Sequence, residues 1–254
     1  MSIIKDIAYK TLDVVTLGSG VERHIGGQSI RFPARWSRYY ESEYEPETFH
    51  FFHENVKPGD TVLDIGGHIG LFAVVTAKLV GPGGKVFSFE PTPFTRSVLQ
   101  EVVDLNECSG IVEVRAEAVS SKCGEAIFFD TGVTISNANS LVKTSDDCAE
   151  IRAALVSVDE FAAERDLKID CLKIDVEGAE VEVLRGARKT FLTSRPVARL
   201  GLHPPQLKQN GQSLGEVWEI VEELNLNVVF DGAKVNKGWF TSQKELFDVN
   251  LIPD

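Results

Sequence analysis

Cysteine is scarce in this chain: four in 254 residues, with no C-x-x-C pair and no histidine at metal-ligand spacing beside any of them. A zinc-ribbon or disulfide-framed fold is thereby excluded, and Cys108, Cys123, Cys148 and Cys171 read as reduced thiols. No apolar run approaches the ~20 residues that a membrane-spanning helix needs. The first ten residues also lack the charged-then-apolar build of a signal peptide, so a cytoplasmic location is expected. An excess of positive charge is missing too. The formal net charge of -12 runs against the clustered Lys and Arg of a nucleic-acid surface, which leaves small molecules as the expected partners. Internal repeats and low-complexity tracts are absent, and nothing in the sequence speaks to oligomeric state.

Hydrophobic residues make up 43% of the chain, enough for a sizeable core in a single α/β domain. The most informative stretch is TVLDIGGHIGLFAVVTAKLVGPGGKVFSFEP, residues 61–91. It reads as a buried strand, a glycine-rich turn (Gly66, Gly67, Gly70), an apolar helix and a second strand ending at Glu90. Such a turn brings backbone N–H groups and a helix N-terminus to a ligand, and an acid at the next strand tip suits a ribose diol. The turn is not the G-x-G-x-x-G of a dinucleotide site, because Asp64 stands where the strand ends. A carboxylate there disfavours phosphate and favours a cationic ligand. S-adenosylmethionine, with an ammonium, a sulfonium and a ribose diol, fits that description.

Residues 1–46 read as a lead-in, and 47–254 as the main domain. After Pro46, Phe49, Phe52 and Val56 recur at helical spacing, and Lys57-Pro58-Gly59 stops that helix. The pattern then predicts strands from Val62 to Ile65, Val86 to Phe89, Val112 to Ala116, Cys171 to Val176 and Val197 to Leu202, with a final pair near Val228 and Phe247 joined by a hairpin. Helices fill the gaps; the one after the second strand has Phe94, Val98, Val102 and Leu105 along one face. Residues 123–155, with the polar run Ser136 to Ser140, are too long for an ordinary crossover and read as an insertion.

Four places carry chemistry. In CLKIDVEGAE, a strand period of two puts Lys173, Asp175 and Glu177 on one side, at the strand end where α/β sheets bind ligands. Either Lys173 neutralises Asp175 in a structural network while Glu177 begins the next helix, or Asp175 faces the ligand. His203 ends the following strand before Pro204 and Pro205. It either fixes that loop or, with an unperturbed pKa of about 6.5, takes a proton as a neutral imidazole. His68 sits within the glycine turn and is expected to shape the ligand cradle. Finally, Arg31, Arg35 and Arg38 interleave with Phe32, Trp36, Tyr39 and Tyr40, either as a substrate wall or as core aromatics with solvated arginines. No metal site is expected, because Asp175 has no further clear ligand in sequence.

Several segments together resemble the FkbM family of S-adenosylmethionine-dependent methyltransferases. They are Tyr44-Glu45-Pro46, Pro58-Gly59-Asp60, the turn from Asp64 to Gly70, Phe89-Glu90-Pro91, Ala118, Ser157 to Phe161, and Leu172 to Glu180. The resemblance implies an α/β fold of the class I methyltransferase type: a Rossmann-like, mostly parallel seven-stranded sheet, last strand antiparallel, helices on both faces. It implies O-methylation of a hydroxyl on a sugar, glycoconjugate or natural product. Carried over by position, Asp64, Gly66 and Gly70 hold the methionine part of the cofactor, Glu90 the ribose hydroxyls and Glu117 the adenine, while Gly67 and His68 belong to the same cofactor-binding turn. His203 and Asp175 become the candidate proton acceptors, and Arg35, Trp36, Arg38 and Glu177 the substrate side. Two positions depart from the family: His68 stands where Asn is usual, and Gly201 stands where an acid often precedes the histidine by two residues. The rival readings are an NAD-dependent oxidoreductase and a methyltransferase-like binding protein without catalysis.

Overall fold

The protein was analysed as a computed structural model, which describes residues 18–130 and 149–254. It opens on a hairpin, β1 (Val21–Ile25) and β2 (Gln28–Phe32), followed by α1 (Pro46–Asn55) with proline at its first position, where a missing N–H costs nothing. Then β3 (Thr61–Ile65), α2 (Leu71–Val80), β4 (Lys85–Phe89), α3 (Pro93–Leu105) and β5 (Val112–Arg115) alternate. A small sheet follows, of β6 (Ala118–Val119), β7 (Gly124–Asp130) and β8 (Ala149–Val156). The alternation resumes with α4 (Val158–Glu164), β9 (Cys171–Ile174), α5 (Glu180–Gly186), α6 (Arg188–Thr193) and β10 (Val197–Leu202). The chain ends with α7 (Pro204–Gln209), α8 (Leu214–Glu223), β11 (Leu226–Phe230), β12 (Ala233–Lys234), α9 (Lys237–Thr241) and β13 (Phe247–Pro253). Among the described residues no helix is long and apolar enough to cross a membrane.

The main sheet runs β12-β11-β13-β10-β9-β3-β4-β5. Strands β5, β4, β3, β9 and β10 are mutually parallel, while β13 inserts antiparallel between β10 and β11. This is the class I methyltransferase sheet with one addition: the two-residue β12 makes eight strands where seven were expected, because the chain doubles back after Phe230. That turn and α9 also separate β11 from β13, so the final pair is not a simple hairpin.

Side chains alternate across the sheet and divide the core in two. Leu63, Ile65, Leu172 and Ile174 pack under α4, α5, α6 and α8. Val62, Val86 and Cys171 pack under α1, α2, α3 and the hairpin, whose Ile25, Ile30 and Phe32 join the same cluster. Helix α2 is largely buried and is apolar but for the buried Thr76 and the exposed Lys78 of its last turn, and α8 is started by a capping box between Ser213 and Glu216. On α3 the buried stripe is Val98, Leu99, Val102 and Val103; Phe94 lies outside it, 47% exposed, edge-on to Trp36. Within residues 123–155, β7 and β8 pair antiparallel, and Ser136 to Ser140 fall outside the described residues.

Candidate active site

A cavity opens at the carboxyl ends of β3, β4 and β9, floored by the turn between β3 and α2. Gly66 has φ +84°, and a Cβ built on it would lie 1.9 Å from the carbonyl oxygen of Asp175, so only glycine lets the ends of β3 and β9 approach this closely. The N–H groups of Gly66 and Gly67 both donate to the Phe89 carbonyl, at 3.1 and 2.9 Å. His68 follows with φ +48°, a left-handed conformation that histidine and asparagine tolerate better than most residues. Its N–H donates to Glu90 Oε2 at 3.1 Å, while the Thr92 N–H donates to Glu90 Oε1 at 2.9 Å. Glu90 thus clamps the turn and also lines the cavity. Burial raises its carboxyl to about 7 in spite of those donors.

The other walls come from further along the chain. His68 Nδ1 lies 3.1 Å from the Tyr40 hydroxyl, and its ring is buried enough to hold the pKa down at about 4, leaving the imidazole neutral. Tyr40, Tyr44 and Phe72 complete that side. Glu117 lines the opposite rim, where burial opposes its ionisation but paired hydrogen bonds from Arg115 keep the carboxyl below its usual value. Four carboxylates, Glu90, Glu117, Asp175 and Glu177, face the cavity against one lysine, Lys173.

Asp64 and Gly70 do not line this space. Asp64 is 1% exposed, accepts from the Ser88 hydroxyl at 2.7 Å, and sits 3.8 Å from Lys173 Nζ. It braces the lysine from behind, and Gly70 caps α2 against Leu99. Lys173 in turn donates to the Gly66 carbonyl at 3.1 Å and pairs with Asp175 Oδ2 at 3.4 Å. Burial works against its charge, but Asp175, Asp64 and Glu45 together raise its pKa.

Strand geometry was expected to carry Lys173, Asp175 and Glu177 on one side, yet β9 ends at Ile174. The three converge on the cavity because the chain turns, with φ +50° at Glu177 and +101° at Gly178. Helix α5 starts later, with Ala179 as its N-cap, so Glu177 neither begins nor caps it. Behind them His203, 2% exposed and not itself a cavity wall, donates from Nδ1 to Glu180 Oε1 at 2.7 Å. Burial disfavours its charge, but the Glu180 bond, Asp175 and Glu177 raise its pKa to about 9. The expectation of a neutral imidazole at working pH is therefore corrected: three carboxylates surround it.

The partner that His203 lacks in sequence is thus Glu180, which was given no role beyond closing a motif. Beside Gly201, where the sequence lacks an acid, a carboxylate stands on the neighbouring strand. Gly201 pairs in register with Asp248 on β13, and a Cβ at 201 would lie 3.2 Å from Asp248 Oδ1 and 3.4 Å from Asp175 Oδ1. Asp248 is held there by Arg199 at 3.1 Å. On the substrate side, Glu177 lines the cavity, but Arg35, Trp36 and Arg38 do not. Arg35 stacks over Trp36 and Arg38 is solvated, while the neighbouring Tyr40 does reach the wall.

The chain is similar to known methyltransferases. A hexuronic acid methyltransferase, AglP, of Haloferax volcanii is 28% identical over 197 residues, covering 73% of this chain and 77% of the relative. The 31-O-demethyl-FK506 methyltransferase FkbM of Streptomyces tacrolimicus is 27% identical over 158 residues; the match spans 52% of this chain and 60% of the relative's length. An O-methyltransferase structure from Thermotoga maritima shares the fold at a TM-score of 0.51 and 12% identity, covering 94% of this chain and 81% of that one. Residues 64–227 match the methyltransferase FkbM domain, so the chain belongs to that family and is a methyltransferase whose cofactor is S-adenosylmethionine.

Proposed function

We propose that the enzyme transfers the methyl group to a hydroxyl oxygen of a small molecule, a sugar, glycoconjugate or natural product. The observation that carries this reading is the wall of Asp175 and Glu177, two carboxylates lining the cavity side by side with His203 behind them. Such a wall accepts a hydroxyl's hydrogen bond and its proton, and repels an anionic acceptor atom. The name of the Streptomyces relative points to an oxygen of a natural product and that of the Haloferax relative to a sugar acid, without naming the atom methylated. When bound, S-adenosylmethionine supplies an electrophilic methyl on a sulfonium.

The chain's own residues hold, orient and deprotonate. Gly66, Gly67 and His68 shape the cofactor turn, Glu90 accepts from the ribose hydroxyls, and Glu117 stands at the adenine end. Asp64 acts through Lys173 instead of touching the cofactor. Asp175 receives the acceptor's proton with Glu177 beside it, and His203 positions both. Fixing the nucleophile at about 3 Å from the methyl carbon supplies most of the rate gain by proximity. Incubation with S-adenosylmethionine and a panel of neutral sugars and hydroxylated natural products should yield S-adenosylhomocysteine and a methyl ether. Exclusive formation of base-labile methyl esters from sugar acids would overturn the hydroxyl assignment, and binding without any turnover would leave an inert cofactor-binding protein.

Glu90 gives a pH signature. Its carboxyl, raised from 4.5 to about 7, is ionised above that value and protonated below it. If the ionised form receives the ribose diol, S-adenosylhomocysteine affinity falls with pH below about 7, by up to about tenfold per unit. Stability of the free protein runs the other way. The folded state binds this proton more tightly than the unfolded state, so the contribution is full below 4.5 and is lost as pH rises through about 7. Calorimetry between pH 5.5 and 8.5 checks both, and Glu90→Gln should flatten the binding profile; a wild-type profile that is already flat would remove Glu90 from the ribose.

A further inference from the structure

We propose that Asp175, Glu177 and His203 form a binding site for one divalent cation at the edge of the cavity. One donor atom from each of the three lies within 4.8 Å of the others. His203 Nε2 is 3.5 Å from both Asp175 Oδ1 and Glu177 Oε2, equidistant and hydrogen-bonded to neither. Donors about 2.1 Å from a shared cation stand ~3.0 to 3.4 Å apart in octahedral or tetrahedral arrangement, so the cluster needs only small adjustments to close.

The orphaned nitrogen is the second, independent sign. Nδ1 of this 2% exposed ring is committed to Glu180 Oε1 at 2.7 Å, which turns the other nitrogen towards two anionic oxygens with no hydrogen bond to either. A cation held between Nε2 and the two carboxylate oxygens would take the place of the positive charge that those carboxylates otherwise draw onto the ring.

Each donor also has an orienting partner of its own. Glu180 holds the imidazole, Gln206 Nε2 donates to Glu177 Oε2 at 3.2 Å, and Lys173 stands 3.4 Å from Asp175 Oδ2, which leaves Oδ1 free. Orienting contacts of this kind, the carboxylate behind the histidine above all, are what metal ligands require. Two carboxylate oxygens and one imidazole nitrogen suit a divalent ion such as Mn²⁺ or Mg²⁺. The cluster meets the cavity through Asp175 and Glu177, so the cation would be within reach of an acceptor oxygen and would lower a hydroxyl's pKa there. That role, though not the site itself, rests on the methyl-transfer reading.

The test is titration of Mn²⁺ into the full chain, read by loss of the free-ion electron paramagnetic resonance signal and by calorimetry, with S-adenosylhomocysteine binding measured in parallel. One Mn²⁺ per chain is expected. Glu177→Gln, at a partly exposed turn position, should weaken it at least tenfold, and Glu180→Gln by ~10- to 100-fold through the imidazole. Retained S-adenosylhomocysteine binding certifies that each variant is folded. Mn²⁺ binding weaker than about 1 mM, the limit of the weaker protein cation sites, or binding that Glu177→Gln leaves unchanged, would overturn the proposal. A chain that binds S-adenosylhomocysteine but no Mn²⁺ loses the cation site and keeps methyl transfer; one that binds Mn²⁺ here and methylates nothing keeps the site and loses the proposed function.

Discussion

Replacing Lys173 with methionine is expected to destabilise the protein by about 3–5 kcal/mol, the range for removing one partner of a buried ion pair. The lysine is 5% exposed, and its ammonium group stands among the Gly66 carbonyl, Asp175 and Asp64. Methionine keeps the volume and the apolar stem but leaves Asp64, 1% exposed, with one oxygen lacking any hydrogen bond and no compensating charge. In a domain of this size the loss corresponds to a fall of roughly 10 °C in the melting temperature. Urea unfolding gives the free energy directly. Because the cost lies in a stranded carboxylate, adding Asp64→Asn to Lys173→Met should recover part of it, a coupling that a double-mutant cycle measures. A loss below about 1 kcal/mol for the single variant would mean that the pair is not the brace described above.

Gly66→Ala is expected to abolish cofactor binding at micromolar ligand, a loss of at least about 100-fold, together with about 2–4 kcal/mol of stability. The new methyl group would overlap the Asp175 carbonyl, at 1.9 Å, in a residue already at φ +84°. Neither neighbour can yield cheaply. Both are backbone, and both carry cavity walls, so any relief moves His68 on one side or the Asp175 side chain on the other. Gly59 is the control, since it has φ +91° and nothing within 4 Å of a built Cβ. Gly59→Ala should show only the conformational cost, ~1–2 kcal/mol, with ligand affinity intact. Calorimetry with S-adenosylhomocysteine on both variants separates steric closure of the turn from general destabilisation; equal affinities would refute the close-approach argument.

What was legible in the sequence is what depends on neighbours along the chain. The glycine turn, the apolar α2 and the acid at the end of β4 are each set within a few residues, and so were the parallel strands and the antiparallel last one. The failures share a different cause. Glu180 and His203 are 23 residues apart and meet only because α5 packs beside the end of β10. The burial of Asp64 depends on α2 and α3 covering its face of the sheet, which no local pattern states. Arg35 and Trp36 alternate with other aromatics as a binding wall would, but a single 3₁₀ turn sets Trp36 against Phe94, with Arg35 over the Trp36 ring, while Tyr40 takes the cavity.

The pairing of Gly201 with Asp248 puts two positions, 47 residues apart in the chain, into one small volume beside Asp175. The Asp248 carboxylate reaches the volume that a side chain at position 201 would enter, from the facing register position on the antiparallel neighbour. A linear motif read along β10 alone does not register a carboxylate brought to the same place from β13. Searches that read facing strand positions jointly, instead of each strand alone, would gather such members with the rest of the family, and enzymes dismissed as degenerate for one missing acid would be worth testing for turnover.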